Sequence, residues 1–201
     1  MAADYLQILT GLIRENARPV DKFGHQPRLS HLTRIIGEEL DYDADVVQGA
    51  LWLHDLGVFI GHRPDTPEEL SRWDHVAYAC SRAPVILRDA GFPEEKIPAV
   101  LEVMRQHQPQ DNPTTVEATI LRDADILEQL GAIGILRTVS KVGRDTRYPT
   151  FTESVAVLRR NMAYLPGQIR LDSARRLAQP RIAILRAFLA AVDDEAGSSL
   201  F

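Results

Sequence analysis

The stretch Ala50-Leu51-Trp52-Leu53-His54-Asp55-Leu56-Gly57 constrains the fold more than any other part of this sequence. An apolar helix runs straight into an imidazole and a carboxylate, and a glycine follows at once. Counting back from His54, Leu51, Ala50 and Val47 stand three, four and seven residues away, on one helical face. His54 therefore points where the core side chains point. Asp55 lies about 100° further round the helix, at a position otherwise held by Leu51 and Trp52. A carboxylate there costs roughly several kcal/mol unless it is paired or ligates a metal. Gly57 suits the left-handed turn that closes a helix, which places the pair at a helix end that can still reach a cleft.

The rest of the chain reads as helices. Leu6, Leu9, Leu12 and Ile13 have helical spacing, and Pro19 with Asp21-Lys22-Phe23-Gly24 ends that helix. Ser30-His31 begins or lies within a second helix, with Leu32, Ile35, Ile36 and Leu40 as its apolar face. Asp43 is a good N-cap for the helix that carries the opening stretch. Residues 61–69 read as a loop, and a fourth helix spans about 71–90, with Pro84 expected to kink or break it. A fifth covers about 94–107. Thr114-Thr115-Val116-Glu117 resembles a capping box leading into a helix over 118–130, with helical character continuing through 131–136. Helices over about 152–164 and 171–192 follow, with a frayed tail at 193–201. No alternating strand pattern and no internal repeat is present. The expectation is an all-α fold: one domain over 1–201, with a core of about 26–137 and C-terminal helices of about 150–193 packed on it.

Composition narrows the function classes. The 201 residues are 45% hydrophobic, carry a net charge of −5 and have a pI near 5.7. With acids and bases interspersed, no basic surface argues for a nucleic-acid polymer. The single cysteine, Cys80, excludes an internal disulfide framework and lies in an apolar helical stretch, as a small buried thiol would. No apolar segment approaches the ~18 residues of a membrane span, and the first residues do not read as a signal peptide. A cytoplasmic protein is expected.

The imidazoles and awkwardly placed acids then gather into a pattern. His31 shares its helix with Ile35 four residues on, His75 opens the fourth helix, and His107 ends the fifth below Val100 and Met104. In Leu121-Arg122-Asp123-Ala124-Asp125-Ile126-Leu127 two acids sit inside an apolar helix, and Asp125 is four residues from Leu121. His25 and His62 fall in loops and read as surface residues. One core cannot cheaply satisfy four imidazoles and two carboxylates without partners, whereas a pair of divalent ions satisfies all six. Such donors suit Mn²⁺, Fe²⁺, Zn²⁺, Co²⁺ and Ni²⁺, and the lack of cysteine ligands argues against a structural zinc site.

The order His31, His54-Asp55, His75, His107, Asp125 resembles the HD-domain superfamily of metal-dependent phosphohydrolases. The late motif, Arg122 to Leu127 followed by Gly131-Ala132-Ile133-Gly134-Ile135, looks like that of a bacterial subgroup of small phosphohydrolases. The resemblance covers about 29–137. It implies an α-helical bundle with His31, His54, Asp55 and Asp125 on one metal ion, and Asp55, His75 and His107 on a second. Asp123 against Asp125 is open on residue spacing, and the family pattern favours Asp125, leaving Asp123 behind it. Leu56-Gly57-Val58 follows the dyad, with no nearby lysine where many relatives have one.

The chemistry implied is hydrolysis of a phosphate ester or anhydride by a metal-activated water, with one or two divalent ions as cofactor and Asp55 as the residue whose loss hurts most. Cations are wanted for the phosphoryl oxygens. Arg82 stands on the helical face of His75, and Arg137, Lys141, Arg144 and Arg147 cluster after the Gly131–Ile135 stretch. Arg82 and Arg137 are the expected catalytic cations, and Arg82, Arg137, Lys141 and Arg144 the expected substrate-binding set. The expected partner is a small phosphorylated compound, a nucleotide among the candidates, with a homodimer left open. The alternative enzyme is an HD-fold di-iron oxygenase cleaving a C–C or C–P bond. A non-catalytic helical scaffold ranks below both, because the dyad and the late acid are both kept.

Overall fold

Helix α3 (Ala44–Leu53) is the hub of the first half of the chain. Val46, Val47, Gly49, Ala50, Leu51, Trp52 and Leu53 are all buried, so apolar groups cover the whole circumference, which is what a helix surrounded by others requires. The computed structural model describes residues 4–144, 148–196 and 200. As the sequence indicates, Asp43 caps α3, its Oδ1 accepting from the N–H groups of Asp45 at 3.0 Å and Val46 at 3.3 Å.

The chain divides into two compact units, Met1–Arg122 and Asp123–Phe201. This boundary falls inside the 26–137 stretch expected to form one core. In the first unit, α3 packs with α1 (Asp4–Asn16), α2 (His25–Gly37), α5 (His75–Asp89) and α6 (Ile97–Arg105). A short helix, α4 (Pro67–Ser71), interrupts the stretch expected as a loop, with the Thr66 side chain accepting from the Glu69 N–H. Helix α5 therefore starts later than its expected position near 71, at a cap made by Asp74. It runs through Pro84 without a break.

Helix α2 departs from expectation in a way that matters for the site. It begins at His25, and its buried stripe is His25, Leu29, Leu32 and Ile36, a spacing of 0, 4, 7 and 11 that stays on one face. Leu32 and Ile36 of the expected face are buried, but Ile35 is 37% exposed and His31 is exposed beside it, so the edge of the face expected to carry His31 inward turns outward.

Helix α7 (Val116–Glu128) crosses the division between the units. At its start Thr115 accepts from the Ala118 N–H at 3.1 Å. Glu117 does not close the expected capping box and instead accepts from the backbone N–H of Asp43 at 2.9 Å. In the second unit α8 (Gly131–Val139), α9 (Phe151–Tyr164) and α10 (Asp172–Ala196) pack on one another. Gly131 breaks the expected continuity of α7 and α8: its φ is +68°, and a Cβ there would lie 3.0 Å from the Cα of Arg181. Helix α9 has a capping box between Thr150 and Glu153. No β-strand is formed among the described residues, so the fold is all-α, and no helix among them is long and apolar enough to cross a membrane.

Candidate metal centre

Asp55 follows α3 by two residues and has φ −97° and ψ 9°, the sparsely populated bridge region where many active-site residues sit. The next turn, Leu56–Val58, is a short 3₁₀ segment. Gly57 does not adopt the left-handed conformation expected of it, since the positive-φ glycines are Gly61, Gly91, Gly131 and Gly143. Its lack of a side chain serves close approach instead. A Cβ on Gly57 would lie 2.6 Å from the carbonyl oxygen of His75 and 2.8 Å from its Cα. The indole of Trp73 holds this seam, donating from Nε1 to the Gly57 carbonyl at 2.8 Å. The turn that carries Asp55 is thereby pressed against the first residue of α5.

Imidazoles surround the carboxylate. His54 Nε2 is 3.7 Å from Asp55 Oδ1, and His25 Nε2 is 3.6 Å from Oδ2. The rings of His25 and His54 are 5.5 Å apart, those of His54 and His107 4.8 Å, and those of His75 and His107 6.2 Å. His25, His54 and His107 are buried, and His75 is half-buried. Burial by itself would raise the Asp55 pKa, but the charge that His54, His25, His107 and His75 carry when protonated outweighs it and holds the carboxyl well below the usual carboxylate range.

Two of the rings are oriented by the same device. His54 Nδ1 donates to the Leu51 carbonyl at 2.9 Å, and His107 Nδ1 donates to the Met104 carbonyl at 2.7 Å. A carbonyl can only accept, so the proton sits on Nδ1 and the Nε2 lone pair is presented on the other side. This is how metal-ligating histidines are commonly held. Ligand atoms of His54, Asp55 and His107 all lie within 4.8 Å of one another. The His–Asp separations are too long for hydrogen bonds and suit donors each ~2.0–2.2 Å from a shared ion. Three nitrogen donors around a carboxylate fit a divalent transition metal.

The family model for the HD domain matches residues 23–130, more than half of the chain. The chain belongs to the HD domain family. No curated protein matches it. Among solved structures, Bacillus subtilis YpgQ aligns over 98% of each chain at 20% identity with a TM-score of 0.76, and a second structure of YpgQ is a complex with ADP. An HD-superfamily hydrolase from Bacillus thuringiensis aligns over 98% of this chain and 100% of its own at 17% identity, with a TM-score of 0.70. The Lin1889 protein of Listeria innocua aligns over 96% of each chain at 17% identity, with a TM-score of 0.71. At these identities the likeness is one of fold.

Within this HD domain the first unit brings together His54, Asp55, His75 and His107 of the expected set. His31 is not among them, and His25 takes the inward position expected of it. His62, expected at the surface, is half-buried. Its Nδ1 accepts from the Tyr78 hydroxyl at 2.9 Å and its Nε2 donates to Asn16 Oδ1 at 3.0 Å. Burial, and then the charge of Arg82, lower its pKa. Cys80 is half-buried, and burial pushes its thiol pKa up.

The two acids of α7 have different surroundings in the second unit. Asp123 is fully buried, and its carboxylate accepts from the backbone N–H of Arg170 at 3.0 Å and of Leu171 at 2.7 Å. It thus fixes the chain just before α10. Asp125 is half-buried, with Oδ2 accepting from Gln129 Nε2 at 3.0 Å.

The expected cations differ in their surroundings. Arg82 is exposed on α5. Arg137 lies 3.5 Å from the carboxylate of the buried Glu128, the ammonium of Lys141 stands 5.6 Å from the centre of the Tyr148 ring, and Arg144 is exposed. Arg147 lies outside the described residues.

Proposed function

We propose that this HD-domain protein is a metal-dependent phosphohydrolase that cleaves a phosphate ester or anhydride of a small compound, with a nucleotide as the leading substrate class. The observation that carries the reading is the meeting of His25, His54 and His107 around Asp55, with the Nδ1 protons of His54 and His107 committed to backbone carbonyls. In this reading His25, His54 and Asp55 would hold one ion, and Asp55, His75 and His107 would hold a second. When bound, such ions supply Lewis acidity to a water and neutralise charge on phosphoryl oxygens.

The chain's own residues set the conditions for that chemistry. Asp55 is held anionic and offers one oxygen towards His25 and the other towards His54. The Leu51 and Met104 carbonyls fix the tautomers of His54 and His107. Arg82 is the proposed phosphate-binding cation, since Arg137 is engaged with Glu128 and Lys141 faces Tyr148. The structure of B. subtilis YpgQ with ADP supports the nucleotide class.

Metal analysis of the purified protein, then a screen supplemented with Mn²⁺, Fe²⁺ or Ni²⁺, tests the proposal. Nucleoside mono-, di- and triphosphates and dinucleoside polyphosphates are the compounds to screen. Phosphate release that disappears in Asp55→Ala is the expected result. Tightly held iron with oxygen consumption and no phosphate release from any compound would replace hydrolysis by the oxygenase reading.

A further inference from the structure

Among the described residues Arg122 is the largest that is fully buried, with 1% of its surface exposed. A guanidinium removed from water is costly unless its donors are satisfied, so the position calls for a purpose. Among its partners are two consecutive backbone carbonyls: Nε donates to Gln108 at 3.2 Å, and Nη2 donates to Pro109. Those are the two residues that follow His107.

His107 stands outside regular structure. Helix α6 ends at Arg105, and Gln106 is its C-cap. On the upstream side the His107 ring is tied to the Met104 carbonyl at 2.7 Å. Downstream, the Gln108 N–H donates to Asp111 Oδ2 at 2.9 Å, and the Asp111 N–H donates to the Gln108 carbonyl at 3.0 Å. The Gln108 carbonyl therefore receives a local donor from its own turn and a buried cation from α7. The planar guanidinium can bond both carbonyls at once, which a lysine ammonium does with less geometric definition.

We infer that Arg122 is a positioning residue that locks the turn after His107 and so aims the His107 imidazole at the site beside Asp55. The inference rests on the proposed role of His107 as a metal ligand. With the guanidinium gone, the carbonyls of Gln108 and Pro109 lose a donor, and the backbone that carries His107 can rotate away from its present position.

The test is a Mn²⁺ titration of the full chain by calorimetry, comparing wild type with His107→Ala, Arg122→Met, Arg122→Lys and the double variant. Loss of a group that orients a ligand typically weakens metal binding about 10–100-fold. Arg122→Met is expected to fall in that range, Arg122→Lys to fall less, and Arg122→Met added to His107→Ala to cost nothing more. A merely structural arginine would lower stability and leave the titration unchanged, or add its full effect in the double variant; either result overturns the inference. Weakened binding in His107→Ala with none in Arg122→Met or Arg122→Lys refutes the inference alone. Unchanged binding in His107→Ala refutes the ligand role of His107, and the inference with it. Should Arg122→Met fail to fold, Arg122→Lys decides, because it keeps the charge and the apolar stem.

Discussion

Gly57→Ala probes the seam between the turn that carries Asp55 and the helix that begins at His75. The added methyl would lie 2.6 Å from the His75 carbonyl oxygen and 2.8 Å from its Cα. Both are backbone atoms, so no side-chain rotation relieves the contact, and the Trp73 indole bonded to the Gly57 carbonyl resists separation. Overpacking of this kind costs about 1–3 kcal/mol. For a chain of this size that is about 2–12 °C in melting temperature. Gly11→Ala is the matched control: a Cβ there meets nothing within 4 Å and the position lies inside α1, so the change should stabilise by up to about 1 kcal/mol. Thermal unfolding followed by circular dichroism reads both, and a Mn²⁺ titration reads whether His75 has moved relative to Asp55. Gly57→Ala should melt lower and bind Mn²⁺ more weakly, while Gly11→Ala melts higher and binds normally. A Gly57→Ala protein with wild-type melting and binding would refute the claim that close approach at Gly57 sets the spacing of the site.

Asp123→Ala strands the N–H groups of Arg170 and Leu171 and should cost about 1–3 kcal/mol in chemical denaturation. His62→Ala loses the bonds to Tyr78 and Asn16 and should cost about 1 kcal/mol in the same assay, while metal content stays at the wild-type level. Hydrogen bonds from Lys96 and then Tyr5 lower the Asp45 pKa. The stability Asp45 contributes is therefore fully present above its unfolded pKa of ~3.9 and is lost as pH falls through its lower folded value. Denaturation of Asp45→Asn beside wild type should show a constant deficit above about pH 4 that narrows at lower pH; a deficit independent of pH down to the acid limit would contradict the assignment.

Much of the fold was legible because strong local signals agreed with tertiary packing. The Asp43 cap, the apolar run of α3 and the His54-Asp55 terminus are all carried by short-range pattern, and His75 opens its helix as its sequence suggests, whereas α6 stops at Arg105 and leaves His107 two residues beyond its end. Local pattern points inward at His31 rather than at the buried His25 for a physical reason. The Pro19 and Gly24 punctuation made 25 a loop position, and Ile35 drew the apolar face of α2 one residue out of phase. The spacing of His25, Leu29, Leu32 and Ile36 carries the buried stripe, since a buried helical face tolerates an isolated isoleucine at its exposed edge. The arginine and lysine roles were harder to read. Arg137 is drawn to the buried Glu128 by a contact over nine residues, and no periodicity reports whether a charged group faces solvent or a partner.

We propose that Asp55 and the imidazoles converging on it hold divalent metal, with His25 and not His31 supplying the first nitrogen. Mn²⁺ titration of His25→Ala beside His31→Ala tests it most directly, because the two residues share one helix and differ in the direction they face. His25→Ala should lose tight Mn²⁺ binding while His31→Ala binds as wild type does. Intact binding in His25→Ala together with loss in His31→Ala would mean that His31, not His25, is the ligand.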